Sequence, residues 1–223
     1  IPKERVSHEK RVVLTPEAVA LLVNNGQRVV VESKAGELSK FSDREYSDAG
    51  AKVVYTTKES YDADVVLKVE PPTEEEINEM RSGSCLISAL QLGKQNADFI
   101  HALNRKKVTA VAFENLEDKV GGMPVVRAMS EIAGSTVMLI AAEYLSSINN
   151  GKGLILGGIT GVPPTQVVIL GAGTVAEYAA RTALGLGASI KIFDNHIYKL
   201  RRIKQLLGQQ VYTSTIDNYT LGQ

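Results

Sequence analysis

Four apolar residues, Val167-Val168-Ile169-Leu170, run directly into Gly171-Ala172-Gly173-Thr174-Val175-Ala176, and an alanine-rich helical pattern follows to Leu186. A second apolar run, Ser189–Phe193, ends on Asp194. Each part suits the binding of a dinucleotide. Gly171 permits a tight turn, Gly173 lets the backbone approach a pyrophosphate, and the small Ala176 allows close packing of helix on strand. The N-terminus of the helix offers N–H groups and a positive dipole end to phosphate. Asp194 lies 21 positions beyond Gly173. At that spacing a carboxylate takes the ribose 2′-hydroxyl and repels a 2′-phosphate, so NAD is expected rather than NADP. Lys199, Arg201 and Arg202 follow closely and are placed either to hold a phosphate or to form a solvated helix face.

Other reactive groups are sparse. Acidic and basic side chains balance at 25 each in 223 residues. That balance lacks the basic footprint of a nucleic-acid binder and the polybasic patch of a membrane-surface protein. An apolar share of 44% and a charged share of 22% are ordinary for a folded globular chain. Cys85, the one cysteine, cannot close an internal disulfide and sits beside Leu86 and Ile87, so it reads as a buried thiol in a reducing compartment. His8, His101 and His196 are scattered, and no metal-ligand spacing exists. The most apolar stretch, residues 132–145, is interrupted by Ser135, Thr136 and Glu143 and falls short of the roughly 20 residues of a membrane span. No secretory signal is visible, although the chain opens at Ile1 without a Met. A cytoplasmic protein is expected, with no membrane insertion and no nucleic-acid partner.

The elements that must position these residues alternate between strand and helix. Residues 11–14 lead to Thr15-Pro16-Glu17, a capping residue followed by Pro at the first helical position, and Gly26 ends that helix. Strands are expected at 28–32, 52–55, 64–69, 85–90 and 108–113 from their β-branched or apolar runs. A helix is expected over 42–49, with Ser42 as cap and Glu45 three residues on. Two more are expected after Pro71-Pro72-Thr73, opened by Glu74-Glu75-Glu76, and over 97–105. A long helix over 130–148, capped by Ser130, precedes a glycine-rich loop through Gly161-Val162-Pro163-Pro164. The pattern predicts an α/β protein of two doubly wound domains, 1–127 and 128–223, because parallel sheets need both faces covered.

The motifs together resemble those of alanine dehydrogenases and of the NAD-binding subunit of nicotinamide nucleotide transhydrogenase. They are Ile1-Pro2-Lys3-Glu4, Arg11-Val12-Val13-Leu14-Thr15-Pro16, Leu67-Lys68-Val69, Met129-Ser130-Glu131-Ile132-Ala133-Gly134, and Gly157-Gly158 through Val175. The fourth, Met129 through Gly134, and the glycine-rich linker are more similar to the dehydrogenase branch. The resemblance implies a Rossmann-like N-terminal substrate domain and a Rossmann NAD-binding domain. The active site would lie in the cleft between them, and the reaction would interconvert L-alanine and pyruvate plus ammonia. By the same resemblance Arg11 binds the substrate carboxylate, in keeping with a guanidinium beside a helix N-terminus. Ser130, Thr174, Val175, Asp194 and Lys199 fall on positions that contact NAD, and homo-oligomers are implied.

Two positions depart from the dehydrogenase pattern. Glu70 stands where a substrate-binding lysine is expected, and Gln91 where a catalytic histidine is expected. Neither substitute does its counterpart's chemistry, since an amide does not shuttle protons and a carboxylate does not polarise a carbonyl. Lys68, two residues from Glu70 on an expected strand and so on the same face, is either a replacement for that lysine or an ion-paired strand end. Gln91 is either a structural amide or a member of the site. The transhydrogenase branch also lacks the lysine and histidine. However, the segment 117–127 here does not carry that branch's Arg/Gln/Asp loop. Three outcomes follow: an amino-acid dehydrogenase acting on a small amino-acid or 2-oxo-acid substrate, a transhydrogenase-like domain passing hydride to a second nucleotide, or a non-catalytic NAD-binding module. The family continues through a second mononucleotide half after the strand at 211–214, so the nucleotide domain reads as incomplete and the sequence as a piece of a longer chain.

Overall fold

The computed structural model describes residues 1–216. The chain forms two compact units, Ile1–Glu117 and Asp118–Gln223. The first carries two parallel sheets. Strand β1 (Val30–Glu32) pairs with β2 (Lys52–Val54), and β3 (Val65–Leu67), β4 (Cys85–Ser88) and β5 (Thr109–Ala112) lie side by side in that order. Helix α1 (Pro16–Asn24) precedes β1, α3 (Thr57–Tyr61) leads from β2 to β3, and α2 (Asp43–Asp48), α4 (Glu74–Glu79) and α5 (Ala97–Arg105) make the crossovers between paired strands. Their starts follow from local chemistry. Thr15 and Asn96 accept N–H bonds from Ala18 and Phe99, and Ser42 with Glu45 and Thr73 with Glu76 form reciprocal capping boxes. The short α3 carries too few residues to show a helical period, and the sequence pattern missed it. One core gathers Val19, Val31 and Tyr46, and another Val66, Ile77, Leu86 and Phe99. Cys85 is only half-buried. The alternation along β4 puts Leu86 and Ser88 on the covered face and leaves Cys85 with Ile87 on the other.

In the second unit β6 (Gln166–Leu170), β7 (Ser189–Phe193) and β8 (Val211–Ser214) form a parallel sheet in sequence order, with α7 (Thr174–Gly185) and α8 (Ile197–Leu207) as crossovers. The buried alanines 176, 179, 180 and 183 recur at helical spacing on α7 and face Ile190 and Ile192 of the sheet. The long helix α6 runs over Pro124–Leu145, six residues earlier than Ser130 and ending three before Ile148. Pro124 at the first turn supplies the start, so Ser130 is a mid-helix residue and not a cap. Ser146 adopts an extended conformation and stops the helix. It has 22 residues, and an 18-residue stretch of it reaches a mean hydropathy of 1.4, so it is long and apolar enough to cross a membrane by length and composition. The expectation that this stretch falls short is therefore corrected: counting from 132 left out the first two turns.

Gly134 explains why α6 and α7 lie so close. A Cβ there would stand 2.5 Å from the Val175 carbonyl oxygen, 2.7 Å from Tyr178 Cβ and 3.0 Å from the Ala179 nitrogen. Two of those atoms are backbone and cannot swing aside. Gly134→Ala would gain about 1 kcal/mol in helix propensity, and forcing the helices apart costs more. A net loss of about 1–3 kcal/mol is expected, read as a lower denaturation midpoint at unchanged slope. A stabilised variant would mean the helices do not approach so closely.

Candidate functional site

The carboxyl ends of parallel strands are where open α/β sheets bind ligands, and both units gather polar groups there. In the second unit Gly171 follows β6 at φ +99°, a conformation that side chains disfavour. At Gly173 an added Cβ would meet nothing within 4 Å, so the space before the turn is open. Gly173 is the N-cap of α7, and no side chain caps the first-turn N–H groups. A cleft of about 430 Å³ is lined by Ser130 together with Gly171, Gly173, Thr174 and Val175. The structure therefore brings five of the seven expected cofactor residues to one place. An open glycine turn against an uncapped helix end fits a pyrophosphate.

Asp194 follows β7 and is buried. Its Oδ2 accepts the Ala172 N–H at 2.8 Å, and its Oδ1 accepts the His196 N–H at 2.7 Å and lies 3.0 Å from His196 Nδ1. These backbone hydrogen bonds, His196 first, hold its carboxyl down at a pKa of about 2, with the charge of half-buried Lys199 adding to the effect. Asp194 thus latches the glycine turn to the end of β7. The sequence pattern assigned it to a ribose and missed this second role.

In the first unit the ends of β3, β4 and β5 present Lys68 and Glu70, Leu90 and Gln91, and Glu114. Strand β3 runs to Leu67, and its ladder bonds continue through the Lys68 N–H to the Ile87 carbonyl and the Ala89 N–H to the Val69 carbonyl. The chain then bends at Val69 and Glu70, and the Lys68 and Glu70 side chains meet different partners. Lys68 is fully buried, 3.3 Å from Glu4 Oε2 and 3.7 Å from Glu76 Oε1. Glu70 is half-buried, and its Oε2 lies 3.4 Å from Gln91 Nε2. Glu4 accepts the N–H groups of Val69 at 2.7 Å and Glu70 at 3.4 Å. Glu114 accepts those of Gln91 at 2.7 Å and Leu90 at 3.2 Å. Arg11 is held by Glu9 in a two-point contact, Nε to Oε1 at 2.9 Å and Nη2 to Oε2 at 2.6 Å. That contact raises the Arg11 pKa and lowers that of Glu9, and Arg11 also feels the charges of Glu70 and Glu4. Its side chain is 56% exposed. Glu4 enters the sequence reading only as part of a motif and Glu114 not at all, although Glu114 does sit just past an expected strand, where a site residue belongs.

Residues 1–133 match the family described as "Alanine dehydrogenase/PNT, N-terminal domain", and residues 137–223 match its C-terminal domain. The chain belongs to the alanine dehydrogenase/PNT family. It is 38% identical over 213 residues to the alanine dehydrogenase of Bacillus subtilis, covering 96% of this chain and 56% of the relative. A solved L-alanine dehydrogenase superposes with a TM-score of 0.90 at 35% identity, over 99% of this chain and 61% of that one. A transhydrogenase from Sinorhizobium meliloti does so at 0.82 and 28%, over 98% and 64%. The chain thus spans less than two thirds of the length of each of these relatives. Within the alanine dehydrogenase/PNT family the fold accounts for both sets of groups: one lies at the strand ends of the N-terminal domain, the other on the glycine turn of the C-terminal domain.

Proposed function

We propose that this chain belongs to an NAD-dependent amino-acid dehydrogenase resembling alanine dehydrogenase, converting L-alanine and NAD to pyruvate, ammonia and NADH. Residues 1–127 would serve the small amino-acid or 2-oxo-acid substrate, and residues 128–223 the cofactor. The observation that carries this is the open glycine turn latched to Asp194, in a chain related along nearly its whole length to alanine dehydrogenases. Gly171, Gly173, Thr174, Val175 and Ser130 would hold NAD, which supplies the hydride acceptor. Arg11 is proposed to take the substrate carboxylate with its exposed guanidinium. Lys68, by contrast, is enclosed between two carboxylates, which favours its reading as an ion-paired strand end over that of a substrate ligand.

The full-length protein is expected to form NADH from L-alanine and NAD. Arg11→Lys keeps the charge and loses the planar fork. It should raise KM for alanine and for pyruvate alike, by roughly tenfold to hundredfold. Binding of NAD with no turnover would sink the dehydrogenase reading and leave a non-catalytic module. The likeness to the transhydrogenase, together with Glu70 and Gln91, supports a second reading in which hydride passes to another nicotinamide nucleotide. Exchange between NADH and an NADP analogue tests it. Assembly into homo-oligomers is supported by the exposed Ile132, Leu139 and Tyr144 on α6, and light scattering on the purified protein decides it. A cytoplasmic location rests on the balanced charge and single thiol, and cell fractionation checks it.

A further inference from the structure

We infer that Glu70 receives the amino group of the substrate and that Gln91 aims it, an inference that rests on the dehydrogenase proposal above. Both residues stand at the carboxyl ends of neighbouring strands, and both are held there by carboxylates acting on the backbone. Glu4 takes the Glu70 N–H at 3.4 Å and Glu114 takes the Gln91 N–H at 2.7 Å. Gln91 is a non-glycine residue at φ 47°, ψ 48°, a left-handed conformation that persists only where the surroundings enforce it. Glu114, bonding Leu90 and Gln91 with its two oxygens, provides that enforcement.

The Gln91 amide has one possible orientation. Its Oε1 accepts from Lys94 Nζ at 2.8 Å, and its Nε2 points to Glu70 Oε2 at 3.4 Å. An ammonium only donates and a carboxylate only accepts, so a flipped amide would lose both contacts. Glu70 is therefore oriented while most of its acceptor capacity stays open, because a carboxylate offers about four lone-pair sites. The nearby cations are matched elsewhere. Lys68 lies between Glu4 and Glu76, and Arg11 is gripped by Glu9. No salt bridge to Glu70 occurs among the described residues. What complements a half-buried, aimed carboxylate beside an arginine is a small molecule carrying ammonium and carboxylate together, which is an α-amino acid. A 2-oxo acid has no cation to offer Glu70, so the two substrates should depend on this residue differently.

The test measures dead-end binding in the full-length protein: L-alanine to the NADH complex and pyruvate to the NAD complex. Glu70→Ala is expected to weaken L-alanine by at least about tenfold, with pyruvate changed by less than about threefold and NADH affinity and melting temperature unchanged. Gln91→Ala should shift alanine in the same direction by a smaller factor, with pyruvate again spared. Equal losses for both ligands, or an unmoved alanine affinity in Glu70→Ala, would overturn the assignment while leaving the dehydrogenase reading standing. A wild-type protein that binds NADH but neither ligand would overturn both.

Discussion

Lys68→Met is expected to destabilise the N-terminal unit by about 3–5 kcal/mol, the usual consequence of removing one member of a buried ion cluster. The side chain is 1% exposed, and its partners Glu4 and Glu76 are 6% and 8% exposed. Taking away the ammonium leaves two buried carboxylates without the cation that offsets their burial. Both carboxylates have other duties that hold them in place. Glu4 bonds the Val69 N–H, and Glu76 bonds the Thr73 N–H as part of the α4 capping box. Neither side chain can leave without releasing those donors, so relaxation is limited. Burial also pushes the Tyr61 hydroxyl pKa upward, and the Glu76 charge adds to this, which keeps the phenol neutral in the same region.

Chemical denaturation followed at constant slope measures the loss. Adding Glu76→Gln to Lys68→Met removes one unpaired charge and should recover part of the stability, a coupling that a double-mutant cycle reads directly. The same experiment separates the two roles the sequence left open. A lysine that serves the substrate would give a variant that melts normally and loses only turnover.

Why the sequence left that open is physical. What Lys68 and Glu70 touch is set by groups distant in sequence, Glu4 and Glu76 for the lysine and Gln91 for the glutamate, and nothing local fixes those partners. The helix start posed a similar problem, because Ser130-Glu131 and Pro124 are both respectable start signals. The choice between them was made by α6 lying along α7 with Gly134 at the contact, which is tertiary information. The glycine turn was legible because its chemistry is local: a positive φ at Gly171 and an open approach at Gly173 are written into the residue types. Glu4 and Glu114 were not legible as clamps, since each acts on backbone 23 to 66 positions away. The family resemblance supplied the site's composition, and the strand ends supply its arrangement.

Asp194→Ala should weaken NAD by roughly tenfold to hundredfold and reduce the preference over NADP, because a charged acceptor of several hydrogen bonds is removed. Part of that loss comes through the turn. Without Oδ2 the Ala172 N–H has no partner, and the segment between Gly171 and Gly173 is free to move away from the geometry a pyrophosphate needs. Asp194→Asn is not expected to rescue it. An amide offers one oxygen for two backbone donors, and its NH₂ would face either Ala172 or His196. The pH dependence has a definite sign. The folded-state pKa, near 2, lies below the ordinary carboxylate value, so the latch stabilises fully above about pH 4 and fades as pH falls toward 2. NAD affinity should therefore show no contribution from Asp194 titration between pH 5 and 8. Calorimetric titration with NAD and NADP, on wild type and both variants, tests the whole chain of reasoning. An alanine variant that keeps both its affinity and its discrimination would mean that Asp194 serves the turn alone, and that selection for NAD arises elsewhere.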